Sequence, residues 1–427
     1  MLISIRVFLG VAENYLLHQE VAEYLKTHST ITANNHHLGY GIGPRGSPRL
    51  VNALVSFLNS ELQPSAPVSG REILVLPGVV AVLDALAWSI CNEGEGILTP
   101  VPFYTGFNPA ISTRARAKLL PVSFRDLEGY RDLDDVFDPE MNAKALENAL
   151  HKATKDGVKV RAVMISNPHN PLGRCYPVET LQAIARFCSS HELHLVSDEV
   201  FAMSVYDNSA APNSTPFTSV MASNLEEYMD CNFVHVAYGM GKDFGATGLR
   251  LGVLHSKNKG VLAAVSSISV FGWVPYIVQD MWACILEDEN FLSELKAKNR
   301  KALAKHFTML RSFLEQHNIP YYKNVNAGVF IWVDLRQYLP EASVEELPSG
   351  SQEGAPPPAD AKQTRETRLF KRLMGERVII SNGSSFATEE LGWFRISFAV
   401  EEKALITGIE RLARCLQHIK ARGWETK

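Results

Sequence analysis

One lysine stands in an unusual setting. From Tyr238 to Gly252 the chain reads Y-G-M-G-K-D-F-G-A-T-G-L-R-L-G; Lys242 and Arg250 follow the apolar run Phe233–Ala237, and Arg250 belongs to the next, Leu249–His255. A structural lysine belongs on a solvated helix face, whereas glycines let the backbone pass close to a bulky partner or take positive φ. The stretch is not a phosphate loop of the G-x-x-x-x-G-K-[ST] kind, because Val236 stands where the first glycine should be and Asp243 follows the lysine.

A buried, partly desolvated lysine loses basicity and becomes a competent amine nucleophile toward an aldehyde. Arg250 adds a bidentate donor suited to a phosphate. Together they point to pyridoxal 5′-phosphate; a plain glycine-rich hairpin is the alternative. Other polar groups lie just past apolar runs. Gly78 opens a helix after Ile73–Leu76, offering N–H groups and a dipole to a phosphate. Asn170 lies in S-N-P-H-N-P-L-G, past Val160–Ser166, and two prolines restrict that loop. Asp198 follows E-L-H-L-V-S and needs a partner if buried, unless it only caps a helix or a turn. Tyr104, in V-P-F-Y-T-G-F, can stack on a flat ring or simply pack. Arg395 sits mid-strand in the alternating run Phe394–Phe398, which demands an anion: a substrate carboxylate, or an internal Asp or Glu.

The elements that must carry these groups alternate. Strand-like runs at Ile73–Leu76, Gly96–Pro100, Val160–Ser166, His194–Ser197, Phe233–Ala237 and Leu249–His255 are interleaved with helical patterns at Val80–Cys91 and Val178–Ser189. That alternation predicts an α/β fold with a mostly parallel sheet, whose ligands lie at the carboxyl ends of the strands. Helical spacing at residues 11–27 follows Glu13 and Asn14, with Asn14 expected as the N-cap; the glycine- and proline-rich loop L-G-Y-G-I-G-P-R-G-S-P leads into a helix at Arg49–Leu62. Beyond about Asp280 a long helix (Asn290–Gln316), strands at 328–335, 377–381 and 393–399 and a final helix are expected, with 341–366 as a mobile surface loop.

At 427 residues the chain exceeds a single core, so one large and one smaller domain are expected. The net charge of −4 points to neither nucleic acid nor an acidic membrane as partner, and no apolar run is long enough to span a bilayer. Arg6 interrupts the apolar N-terminus and no cleavage site follows, so a cytoplasmic protein is expected. Six scattered cysteines without a C-x-x-C pair fit reduced thiols, and neither His36–His37 nor His191 with His194 makes a zinc motif.

The ordered set Glu13, Tyr104, Asn170, Asp198, Lys242, Arg250 and Arg395, with N-P-H-N-P-L-G, S-D-E-V, G-K-D-F-G-A-T-G-L-R and W-F-R-I-S-F-A, resembles fold type I pyridoxal-phosphate enzymes over nearly the whole chain. Within them it is most similar to the 1-aminocyclopropane-1-carboxylate synthase branch of the class I/II aminotransferase superfamily. The resemblance implies a large cofactor-binding domain at 40–286 with a mostly parallel seven-stranded sheet. A smaller α+β domain would be formed by 1–39 and 287–427. It further implies a homodimer with shared active sites and an amino-acid-like substrate. Lys242 would hold the cofactor and later move the Cα proton, Asp198 would pair with the ring nitrogen, and Asn170 would bond the ring oxygen. Tyr104 would stack on the ring, and Arg250 with the Gly78–Val79–Val80 helix start would hold the phosphate. Arg395, with Asn170, would take the substrate carboxylate, and Glu13, in G-V-A-E-N, would lie near the substrate.

This sequence departs from that pattern at four cofactor contacts. Phe201 stands where the family has a phenol, Gly239 where it has a serine, and Val80 where it has a hydroxyl residue. The tyrosine lent by the neighbouring subunit falls at Pro44, with Tyr40 as a substitute. The altered cup is more similar to fungal carbon–sulfur lyases that act on cysteine conjugates in making gliotoxin-like epidithiols. The expected activity is therefore α,β-elimination from an S-substituted cysteine. The alternatives are α,γ-elimination from S-adenosylmethionine, transamination, or a pseudoenzyme dimer without firm cofactor binding.

Overall fold

The computed structural model describes residues 6–29, 36–341 and 364–424. Its centre is a seven-stranded sheet ordered Ile73–Leu76, Gly252–Ser256, Val234–Tyr238, His194–Asp198, Val160–Ser166, Gly96–Pro100, Lys118–Val122. Gly252–Ser256 runs antiparallel to both neighbours, and the remaining pairs are parallel. Most of these strands are buried along their whole length, as expected of a sheet covered by helices on both faces. On one face Val79–Ile90 packs with Phe107–Ser112 and Lys259–Ile268; on the other, Pro139–Lys155 packs with Val178–Ser190.

The register determines where chemistry can occur. Ser166 pairs with Asp198 and Asp198 with Ala237, so the carboxyl ends of three neighbouring strands finish at one level. The antiparallel strand begins at that level, because Gly252 is opposite Leu76 and Val253 opposite Tyr238. The expected run Leu249–His255 is accordingly not all strand. Thr247–Leu249 forms a 3-10 turn, Arg250 adopts φ 49°, and the strand starts only at Gly252. A Cβ on Gly252 would stand 2.4 Å from the Gly78 carbonyl carbon, so only glycine lets these two backbones pass.

A second sheet, Ser381–Asn382, Trp393–Ser397 and Phe330–Asp334, is antiparallel and lies with the helices Glu289–Gln316, Arg365–Gly375 and Glu402–Arg422. The run expected as one strand at 377–381 is split. Val378–Ile379 pairs in parallel with Val7–Phe8, whereas Ser381–Asn382 pairs with Arg395 and Phe394. Asn14 caps a short 3-10 helix, Tyr15–Leu17, rather than the longer helix, which starts at His18. Within the stretch expected as a loop at 341–366, residues 342–363 lie outside the described residues, while Arg365 and Glu366 already belong to a helix. The apolar cluster around Trp332, Phe330, Phe386, Phe394 and Phe398 is continuous with one face of the large sheet.

Trp332 is fully buried in that cluster. Trp332→Ala is expected to lower the unfolding free energy by about 3–5 kcal/mol, measured by denaturant titration, because it leaves a cavity beside Trp393, stacked on it, and Phe386, edge-on to it.

Candidate active site

Lys242 occupies the short turn Met240–Asp243, immediately after the strand Val234–Tyr238. The turn is pinned by the next residue: the buried carboxylate of Asp243 accepts from Met203 N–H (3.0 Å), Ser204 Oγ (2.7 Å) and Tyr238 Oη (3.2 Å). Lys242 Nζ donates to the Ala12 carbonyl at 2.6 Å. Burial, followed by the charge of Arg395, lowers the ammonium pKa to about 8, against the pull of Glu13 and Asp198. A partly uncharged amine near neutrality is what imine chemistry with an aldehyde requires.

Asp198, buried at the centre of the sheet edge, accepts from Val200 N–H at 3.3 Å. Burial raises its pKa to about 7, with the Lys242 charge opposing. No cation lies within ion-pair distance of it among the described residues. A buried carboxylate of this kind calls for a bound cation or a protonated ring.

Arg395 sits opposite Trp332 and Ser381 in the small sheet and is 4% exposed. Its Nη1 donates to Asn170 Oδ1 and its Nη2 to the Gly10 carbonyl, both at 2.8 Å. Phe386 and Phe330 lie 4.7 and 4.9 Å from the guanidinium carbon, measured to ring centroids, and its Nε has no partner. Burial pulls its pKa down to about 10, with Tyr104 opposing. The internal Asp or Glu that could have answered this arginine is not present among the described residues. Asn170 is in turn fixed by its own N–H, which donates to Ser166 Oγ at 2.9 Å.

Arg250 adopts a left-handed conformation and reaches back to the N-terminus of the helix Val79–Ile90. Its Nη1 donates to the Thr247 carbonyl at 3.1 Å and its Nη2 to that of Pro77 at 3.4 Å. A Cβ on Gly78 would lie 2.4 Å from Nη2, so glycine opens the cradle where guanidinium and helix terminus meet. A Cβ on Gly239 would meet Val79 Cγ2 at 2.4 Å. The serine hydroxyl this chain lacks at 239 is thus excluded by the bulk of Val79, while Val80 is 41% exposed.

Tyr104 folds its ring over Gly106, where a Cβ would come within 2.4 Å of it, and meets Phe107 edge-on at 5.5 Å. Burial, and then the nearby Asp198, raise the phenol pKa. Phe201 is buried with its ring edge-on to Phe330 at 5.4 Å, behind Arg395. Tyr40 is 84% exposed, with its ring 6.2 Å from that of Trp273, and is not brought to the other groups within the chain.

Glu13 is held at both oxygens: Tyr15 Oη donates to Oε2 at 2.7 Å and Thr247 Oγ1 to Oε1 at 2.8 Å. The Tyr15 hydrogen bond first, then Thr247, Lys242 and His18, hold its pKa below the usual carboxylate value despite burial. Thr247 and Tyr15, and the carbonyls of Gly10 and Ala12, escaped the sequence reading. Backbone groups leave no mark on a sequence, though Thr247 within the glycine stretch was a signal that could have been used.

The residues present fit pyridoxal 5′-phosphate: an amine of lowered basicity, a buried carboxylate without a cation, and a glycine-opened cradle beside an arginine. Residues 7–412 match the family model for aminotransferase class I and II. The chain is 31% identical over 410 residues to 1-aminocyclopropane-1-carboxylate synthase-like protein 1 of Bos taurus, covering 96% of this chain and 76% of that protein. It is 29% identical over 409 residues to "Probable aminotransferase gliI" of Aspergillus fumigatus, covering 95% and 88%. Among solved structures, an aromatic aminotransferase from Pyrococcus horikoshii OT3 superposes with a TM-score of 0.72 at 22% identity, covering 97% and 96%.

Two outcomes are expected. In the cofactor-free protein, labelling of Lys242 by an amine-selective reagent rises with pH to half its maximum near pH 8, read by peptide mass spectrometry. Gly252→Ala drives the Gly78 backbone away from Arg250 and weakens cofactor retention at least about 10-fold, read by equilibrium dialysis, through loss of one charge-assisted contact.

Proposed function

The chain belongs to the class I and II aminotransferase family, which works with pyridoxal 5′-phosphate. From that premise we propose that it is a carbon–sulfur lyase that cleaves an S-substituted cysteine by α,β-elimination. Lys242, Asp198, Asn170, Tyr104, Arg250 and the helix start at Gly78 would hold the cofactor. When bound, that group supplies an aldehyde and a ring that accepts the electron pair released at the substrate Cα.

The chain's own residues then have separable tasks. Arg395 and Asn170 take the substrate carboxylate and so orient the Cα–H bond. Lys242 Nζ, uncharged, accepts the Cα proton. The Cβ–S bond breaks with its electron pair on sulfur, a Cα–Cβ double bond forms, and the thiolate leaves with a proton as thiol. A free amino acid yields 2-aminoacrylate, which water converts to pyruvate and ammonia.

The observation that carries this reading is the ionised carboxylate of Glu13 beside Lys242, fixed by Tyr15 and Thr247. It repels the acidic side chain of an aspartate- or glutamate-type transamination substrate and leaves a neutral thioether acceptable. The same carboxylate also suits the positive sulfonium of S-adenosylmethionine, so α,γ-elimination is the second reading, in line with the name of the Bos taurus relative. Leu38, Tyr40, Ile42 and Phe271, all strongly exposed in the isolated chain, support a homodimer in which a neighbouring subunit covers them.

Purified protein incubated with cysteine S-conjugates is expected to release thiol and pyruvate in equal amounts. Lys242→Ala should abolish this by at least about 1,000-fold, since the same amine is needed twice. Methylthioadenosine from S-adenosylmethionine would favour the second reading, and keto-acid exchange without thiol release would reject the lyase.

A further inference from the structure

A buried carboxylate outside the site described above is tied to it through a single loop. Glu366, in the second position of the helix Arg365–Gly375, is fully buried. Its Oε1 accepts from Gly383 N–H at 2.6 Å, and Ser384 N–H donates to Oε1 and Oε2 at 3.3 and 3.2 Å. One side chain therefore grips residues 383–384, where the loop leading to the strand Trp393–Ser397 begins. Its partners are backbone N–H groups, whose positions define the loop path.

What the loop carries gives the grip its meaning. Phe386 lies within it, with its ring 4.7 Å from the Arg395 guanidinium carbon. The Phe386 carbonyl accepts from Phe103 N–H at 2.9 Å, immediately before Tyr104. Just ahead of the loop, Ser381 Oγ donates to the Gly10 carbonyl at 2.8 Å, the acceptor also used by Arg395 Nη2. Directly after it comes the strand Trp393–Ser397, which bears Arg395. The loop has no slack against that strand, because a Cβ on Gly383 would stand 2.5 Å from the Trp393 carbonyl oxygen.

We propose that Glu366 is a positioning residue for the substrate-carboxylate site. It fixes the start of the 383–392 loop, so that Phe386 confines the Arg395 guanidinium to the plane in which Asn170 and a substrate carboxylate can meet it. This rests on the assignment of Arg395 as the carboxylate anchor. Charge-assisted hydrogen bonds to backbone N–H groups are among the stronger ones. Glu366→Gln keeps the shape but presents an amide N–H to one of the loop's N–H groups, whereas Glu366→Ala removes the grip altogether.

The test uses 2-methylalanine, which has no Cα proton to lose, and isopropylamine, the same amine without the carboxylate. Each is titrated calorimetrically into the cofactor-loaded protein. Glu366→Gln is expected to weaken 2-methylalanine binding on the order of 10-fold and Glu366→Ala further. Isopropylamine binding and cofactor retention should change less than about 2-fold, since an amine without a carboxylate has nothing for Arg395 to hold. Hydrogen exchange at Gly383 and Ser384 should speed up in parallel. Equal weakening of both probes, or unchanged 2-methylalanine binding in Glu366→Gln, overturns the proposal; should the alanine variant not fold, the glutamine variant decides. Arg395→Gln is the control. If it leaves 2-methylalanine binding unchanged, the anchor assignment falls and this proposal with it; if it alone weakens binding, only the role of Glu366 falls.

Discussion

A guanidinium taken out of water without an acidic partner is the constraint on which this molecule depends. Arg395 is compensated by one amide oxygen, one backbone carbonyl and two aromatic faces, and one of its nitrogens remains unpartnered. Such an arrangement is costly for folding and persists only where packing over-determines it. The packing is visible: Phe330 belongs to the neighbouring strand, Phe386 to a loop gripped at its start by Glu366, and Asn170 to a loop anchored on the large sheet. A cation held ready in this way meets a carboxylate with little reorganisation.

The N-terminal segment joins the two halves of the site. Within four residues it offers the Gly10 carbonyl to Arg395, the Ala12 carbonyl to Lys242 and the Glu13 carboxylate to Thr247 and Tyr15. The segment is itself fixed from both sides. Tyr15 N–H donates to the Ala399 carbonyl, and Asn14 Nδ2 to Asn299 on the long helix, whose amide in turn reaches the Asp243 carbonyl. Burial pushes Lys242 down to about 8 and Asp198 up to about 7, so both groups sit close to neutrality. Two groups whose ordinary values lie far apart are thus brought near the same pH by loss of water.

The departures from the family pattern have local causes. Gly239 and Val79 form one packing unit, in which the bulk of the valine occupies what a Cβ at 239 would need. Phe201 belongs to an aromatic layer with Phe330 behind Arg395, so a phenyl ring there serves the packing around that guanidinium. The departures at 239 and 201 are therefore coupled to their neighbours rather than scattered.

Much of the sheet was legible in the sequence. Runs such as Ile73–Leu76 are apolar throughout because both faces are covered, and a pattern of that kind needs no tertiary information. Residue type likewise marked Lys242, Asp198, Asn170, Arg250 and Arg395, because a charge or amide beside an apolar run must find a partner. The split of 377–381 between two sheets, the late start of the strand at Gly252 and the helix that buries Glu366 were decided by the fold. Each depends on which backbone lies alongside, and hydrophobic pattern carries no record of that. The same holds for the carbonyls of Gly10 and Ala12: every residue has one, and only three-dimensional proximity selects the two that face a lysine and an arginine.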